Sequence, residues 1–304
     1  MLKHTPVLNT EVLEVISPRS GESVLDCTIG LGGHAASFLK ATSPDGRLIG
    51  IDADRKNLEV AERNLKQFGG RIKLHCMNFR DADALSGLPV DIVFADLGLS
   101  SPHVDDPERG FTFRASGPLD LRYDRSSGRS AAEFLQSASE DEVAGILKEF
   151  GELPRSRAMA KALRVCFKSE SSDAGGCTTD DVVRCAENVF TYRTSKMLPQ
   201  VFQALRIAVN DELGALRALL DAANSLLKPG GRFGIISFHS LEDRMVKRAF
   251  RALAAPTINE LTGQVKTDAA WELLTRKGIT ASAGELLCNP RSRSARLRAI
   301  RKRM

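Results

Sequence analysis

The sequence predicts an α/β fold: a Rossmann-like parallel sheet with a helical insertion domain. Three observations carry this. Strand-like and helix-like segments alternate from 23 to 97. From about 99 to 200 the alternation gives way to loops rich in Ser, Asp, Gly and Arg, followed by helical stretches. After 200 the α/β pattern returns. Strands separated by helices of this length form right-handed βαβ units, and 304 residues suffice for one large core or two.

The elements follow in order. "SVLDCT" (23–28) is a short apolar run ending at a glycine-rich turn, and "GHAASFLKAT" (33–42) has helical spacing. "RLIGID" (47–52) is a second strand, and "RKNLEVAERNLKQF" (55–68) a helix with Leu58, Ala61 and Leu65 on one face. "RIKLHC" (71–76) is a third strand. "VDIVFADL" (90–97) is a fourth, apolar enough to be buried on both faces. In the insertion, 130–151 and 178–190 read as helical, with starts marked by the capping box Ser139-x-x-Glu142 and by Thr179-x-x-Val182. "KSESSDAGGC" (168–177) reads as a loop. The stretch 200–227 reads as one long helix, stopped by "KPGG" (228–231) before the strand "RFGIISF" (232–238) and the helix 240–254. The implied boundaries are 1–105 with 201–304 for the α/β domain and 106–200 for the insertion, expected to recognise substrate.

Composition narrows the function classes. With 42% hydrophobic and 27% charged residues the chain is an ordinary globular one. No apolar run is long enough to span a bilayer, and "MLKHTPVLNTEVL" has no signal-peptide core, so a cytoplasmic protein without a membrane partner is expected. The six cysteines form no Cys-x-x-Cys and the five histidines are dispersed, so reduced buried thiols and no metal site are expected. Net charge is +5, but seven cations and no acid fall within 291–304; without them 36 basic residues face 38 acidic ones. Such a local excess suits a polyanion such as RNA, or a solvated tail.

The chemistry concentrates in "DCTIGLGGHA" (26–35). Gly30-x-Gly32-x-x-Ala35 satisfies a loose dinucleotide fingerprint, and Asp52, 22 residues after Gly30, is placed to take ribose hydroxyls. Asp26, at the end of the first strand, would repel a pyrophosphate and suits a ligand carrying an ammonium group, as S-adenosylmethionine does; a turn residue is the plainer role. Asp96 ends the fourth strand at the carboxyl edge, where open α/β sheets bind ligands. Leu-x-Pro-Gly-Gly before a late strand resembles the class I S-adenosylmethionine-dependent methyltransferase fold, which would supply a late antiparallel strand. "ARLRAIR" (295–301) alternates as such a strand should.

Longer segments then match one family. "HTPVL" (4–8), "GLGGH" (30–34), "GIDAD" (50–54), "DLGLSSPHVDDPERGFTF" (96–113), "GPLDLRYD" (117–124), "QALRIAVNDEL" (203–213), "ISFHSLEDRMVKRAF" (236–250) and "NPRSRSARLR" (289–298) span nearly the whole chain in order. They resemble the bacterial 16S ribosomal RNA cytosine-N4 methyltransferases of the RsmH/MraW type. The resemblance implies S-adenosyl-L-methionine as cofactor and a cytidine in the decoding region of 16S rRNA, in the small ribosomal subunit, as target. It carries Gly32, Gly33 and His34 over as the cofactor loop, Asp52 as the ribose acid, Phe79 as the adenine-packing ring and Asp96 as neighbour of the methionine portion. His103 stands where the better-known family pattern has Gln. Monomer and homodimer both remain open.

Cytosine N4 is conjugated to the ring and poorly nucleophilic. A carbonyl or carboxylate aimed at its N–H groups would favour a more tetrahedral nitrogen. Asp96 is the candidate catalytic acceptor, or binds cofactor alone. Methylation at C5 needs a cysteine nucleophile, and none of the twelve prolines precedes a cysteine, so the familiar Pro-Cys is absent. "ERGFTFR" (108–114) mixes Arg109 and Arg114 with Phe111 and Phe113, able to stack a base and hold a phosphate or else to pack inward. "RYDRSSGR" (122–129) and the terminal arginines are further RNA candidates. His239 and Ser240 face substrate, or Ser240 caps the following helix. The rivals are a nicotinamide dehydrogenase, opposed by Asp26, and a non-catalytic RNA-binding module, opposed by the intact loop with Asp52.

Overall fold

The continuous apolar runs become strands buried on both faces. A computed structural model describes residues 6–169, 177–258 and 265–304, in two compact units: 1–98 with 214–304, and 99–213. In chain order the first unit begins with α1 (Asn9–Ile16), β1 (Ser23–Asp26), α2 (Gly33–Ala41), β2 (Arg47–Asp52), α3 (Arg55–Leu65), β3 (Ile72–Cys76) and β4 (Val90–Asp96). The second unit holds α4 (Ser101–Asp105), α5 (Ala131–Ser137), α6 (Glu140–Glu149), α7 (Ser156–Ser169), α8 (Thr179–Phe190) and α9 (Thr194–Asn210). Then come α10 (Glu212–Asp221), α11 (Ala223–Leu226), β5 (Leu227–Ser237), α12 (Ser240–Leu253), the short pair β6 (Thr257–Ile258) and β7 (Val265–Thr267), β8 (Trp271–Leu273), α13 (Ala283–Cys288) and β9 (Arg296–Lys302).

The main sheet has the order β3-β2-β1-β4-β5-β9-β8. The five strands from β3 to β5 are parallel, and β9 runs antiparallel to both of its neighbours, as expected for "ARLRAIR". Alternate β4 residues serve opposite faces: Val93 and Ala95 join Leu216, Phe233 and Phe250, whereas Ile92 and Phe94 join Ile16, Phe38 and Leu297. The chain leaves β1 toward β2 on one side and reaches β4 on the other. The order therefore reverses between β1 and β4, and a crevice opens at their carboxyl ends. No helix of the described residues is long and apolar enough to cross a membrane.

Several boundaries differ from expectation. The helix expected over 200–227 is three helices, because Asp211 turns left-handed (φ 47°) and ends α9. Pro199 lies inside α9, where burial of Met197, Leu198, Val201, Phe202 and Leu205 outweighs its missing N–H. "KPGG" belongs to β5: five residues from Leu227 to Arg232 pass while β4 advances only from Val90 to Ile92, a bulge with Gly230 at φ 79°. The units divide at 98/99 and 213/214 rather than at 105 and 201, because α4 and the whole of α9 pack with the insertion. There His103 stacks near Phe111 and Tyr123, and Val201 and Leu205 join the core of Leu147, Leu163 and Val182. Thr178 with Asp181, not Thr179, caps α8. The loop expected over 168–177 lies mostly outside the described residues, as do His4 and Thr5.

Candidate functional site

The glycine turn is held from both sides. Gly32 caps α2 in a left-handed conformation (φ 86°), and a Cβ there would meet Leu65 at 3.0 Å. A Cβ on Gly33 would lie 2.6 Å from Pro6, so the chain before α1 closes over the start of α2. Asp52, at the end of β2, anchors the turn by accepting from the Gly30 N–H at 2.9 Å. Its other oxygen accepts from the Asp54 N–H at 2.8 Å, and the Asn57 amide reaches both oxygens at 3.2 and 3.4 Å. The Asp52 carbonyl accepts from the Met77 N–H, and Phe79 follows two residues on, half-buried at the start of a 3-10 turn.

A second group gathers at β1 and β4. Thr28 links them: its N–H donates to Asp26 Oδ1 at 3.2 Å, and its hydroxyl accepts from the Asp96 N–H at 2.6 Å. His34, in the first turn of α2, has Nε2 3.5 Å from Asp96 Oδ2, within ion-pair distance but misaligned for a hydrogen bond, and its ring centroid lies 4.8 Å from that of Phe94. Asp26 is only 1% exposed, and burial pushes its carboxyl up to about 7 against the opposing pull of His34. Asp26 Oδ2, Asp96 Oδ1 and both His34 ring nitrogens are buried without hydrogen bonds. Each unsatisfied buried group costs on the order of 1–3 kcal/mol, so this cluster is built to receive a polar ligand. Three carboxylates around one turn favour a cationic group over a phosphate.

The other predicted positions divide. His103 lies in the second unit, where Nδ1 meets the Ser100 hydroxyl at 3.0 Å and the ring packs between Phe111 and Tyr123. The reading of "ERGFTFR" as an exposed RNA clamp is corrected at two positions. Arg109 is 3% exposed and donates to the carbonyls of Arg122 and Tyr123, and Phe111 stacks on Tyr123 in the core. Phe113 packs on Phe202, and Arg114 is exposed. Arg122 forms a fork with Asp120 at 2.7 and 3.0 Å, which Arg125 joins at 3.1 Å. His239, rather than Ser240, caps α12, and Glu242 accepts from the N–H groups of Phe238 and His239.

Much of the basic tail is structural. Arg298 is buried and forks onto Asp243, Arg301 reaches Glu272, and Lys302 donates to the carbonyls of Asn224 and Leu227. Sequence reasoning missed Thr28 and Asn57. The visible signals were a hydroxyl two residues after a strand-end acid and an amide one turn into the helix that follows Asp52.

With these positions in place, the chain can be compared with known proteins. The model of the MraW methylase family matches residues 1–303. Ribosomal RNA small subunit methyltransferase H of Syntrophotalea carbinolica is 42% identical over 315 residues, covering 99% of this chain and 98% of that protein. The protein of the same name from Anaeromyxobacter dehalogenans is 43% identical over 316 residues, with 99% and 98% covered. Among solved structures, a SAM-dependent O-methyltransferase from Thermotoga maritima aligns over 100% of this chain and 69% of its own, at 9% identity and a TM-score of 0.43. The α/β unit, with its late antiparallel strand, has the class I methyltransferase fold, and the chain belongs to the MraW methylase family.

Proposed function

We propose that this methylase transfers a methyl group from S-adenosylmethionine to N4 of a cytidine in the decoding region of 16S rRNA, in the small ribosomal subunit. The observation that carries the reading is the unpartnered buried cluster of Asp26, His34 and Asp96 beside a glycine turn anchored by Asp52. That donor set fits a ligand with ribose hydroxyls and a cationic amino-acid portion and no phosphate. When bound, the cofactor supplies a methyl group activated by a positive sulfur.

The residue roles follow from the chain's own groups. Gly32, Gly33 and His34 form the wall of the cofactor site. Asp52 takes ribose hydroxyls with the oxygens that also hold the turn. Phe79 packs on adenine, Asp96 borders the methionine portion, and His103 is assigned to the cofactor on the resemblance alone. Asp96 Oδ1 accepts an N–H of the target amine, drawing the nitrogen lone pair out of conjugation. Burial pushes the thiol of Cys27, the cysteine within the turn, well above its usual range, which argues against a thiolate nucleophile and so against C5 chemistry. The unit 99–213 serves substrate recognition, with exposed Arg114 and the half-exposed Arg125 as cations for phosphate.

The test is direct. Purified protein is incubated with isotope-labelled S-adenosylmethionine and small ribosomal subunits, and digested nucleosides are resolved by mass spectrometry. Label in N4-methylcytidine is expected. Label only in other nucleosides, or none, overturns the proposal.

A further inference from the structure

Asp26 differs from the other two acids of the site. Asp52 has backbone N–H donors on both oxygens, and the side chain of Asp96 is 25% exposed. Asp26 has one backbone donor, Thr28, on Oδ1, while Oδ2 is buried and bare. The groups facing it come from each neighbouring element: His34 from α2, Asp96 from β4, Asp52 from β2 and the Cys27 thiol beside it. Two of the three charged neighbours are acids, so the surroundings do not hold a charge on Asp26.

A carboxyl so placed stays neutral until an opposite charge arrives. An entering ammonium group supplies that charge and also donates to the bare oxygen. A pyrophosphate supplies neither.

We propose that Asp26 is an additional ligand-binding residue, which takes the α-ammonium of the amino-acid portion of the cofactor and releases its own proton to solvent as that group binds. This rests on the reading of S-adenosylmethionine as the cofactor. The carboxylic O–H bond breaks, the proton passes to buffer, and no other bond changes. Asp26 thereby sets selectivity for adenosine ligands that carry an amino-acid tail. It also makes their binding stronger as pH rises toward neutrality.

The probes are S-adenosylhomocysteine, which keeps the ammonium without the sulfonium charge, and 5′-methylthioadenosine, which lacks the amino-acid portion. Each is titrated calorimetrically into the full chain in two buffers of different ionisation enthalpy, from pH 5 to 8. With S-adenosylhomocysteine, release of close to one proton is expected near pH 6, and affinity should rise about tenfold per pH unit below 6.5. Methylthioadenosine should bind without proton release and without that slope, and Asp26→Asn should remove both for S-adenosylhomocysteine.

Binding of S-adenosylhomocysteine without proton release overturns the Asp26 assignment alone, as does release that persists in the variant. Absence of any binding overturns the cofactor reading and this one with it. Should Asp26→Asn fail to fold, carbon-13 NMR of the wild-type carboxyls decides. An aspartate that titrates near neutrality in the free chain and is ionised in the complex at pH 6 supports the proposal, and its absence refutes it.

Discussion

Replacing Asp26 with Asn should stabilise the ligand-free protein, and by more as pH rises. An unfolded aspartate titrates near 3.8, whereas burial pushes Asp26 up to about 7 in the fold. Below 3.8 both states keep the proton and the group contributes no difference. Between the two values the folded chain holds a proton that the unfolded chain has lost. Stability therefore falls as pH rises, by about 1.4 kcal/mol per unit. The loss is complete above 7, where it reaches about 4 kcal/mol as an upper bound.

Asparagine cannot ionise, and its carbonyl still accepts from Thr28. The variant's advantage over wild type should thus grow by about 3 kcal/mol between pH 5 and pH 8. Urea titration followed by fluorescence of Trp271, the single tryptophan, buried on β8, reads the unit concerned. All other titrating groups cancel in the difference between the two proteins. A difference that stays constant with pH would refute the reasoning.

Two further substitutions probe the support of the turn. At Gly50 in β2 an added Cβ would lie 2.3 Å from Ile29 Cδ1 and 2.9 Å from Leu74 Cδ2. Gly50→Ala should cost about 1–3 kcal/mol by urea titration. It should also weaken S-adenosylhomocysteine binding, because Ile29 must move and Gly30 follows it; unaltered affinity would separate that contact from the site. Arg232 holds Glu22 in a fork at 2.8 and 2.5 Å and donates to the carbonyls of Ile16 and Ser17, tying the end of α1 to β5. Arg232→Ala strands a half-buried carboxylate and should cost about 3–5 kcal/mol, with a smaller loss in Glu22→Ala/Arg232→Met. Equal losses in both variants would count against the ion pair.

What the sequence made legible followed from burial. Strands covered on both faces read as unbroken apolar runs, so β2 and β4 were located almost to the residue, and with them Asp52 and Asp96 at their ends. Pro-Gly-Gly was ambiguous because the same residues stop a helix or form a bulge; only the Val90–Ile92 register shows which. Arg109 and Phe111 have the composition of an RNA clamp, but the partners that bury them, Arg122 and Tyr123, are brought over by the fold. The terminal arginines carried the same ambiguity: Arg298 answers Asp243, 55 residues earlier in the chain. Charge counted along a sequence does not distinguish an ion pair within a sheet from a surface awaiting a polyanion.

The site's electrostatics depend less on how many acids it has than on how each is solvated. Asp52 is fixed by backbone N–H groups that would be left bare if it moved, so it serves structure and ligand at once. Asp96 is partly open to water and faces a histidine that does not satisfy it. Asp26 has neither solvent nor a full set of donors. Three identical side chains at the ends of three adjacent strands are thus given an anchored, an open and a buried environment. A ligand with hydroxyls at one end and a positive charge at the other can satisfy all three, and a ligand carrying phosphate cannot.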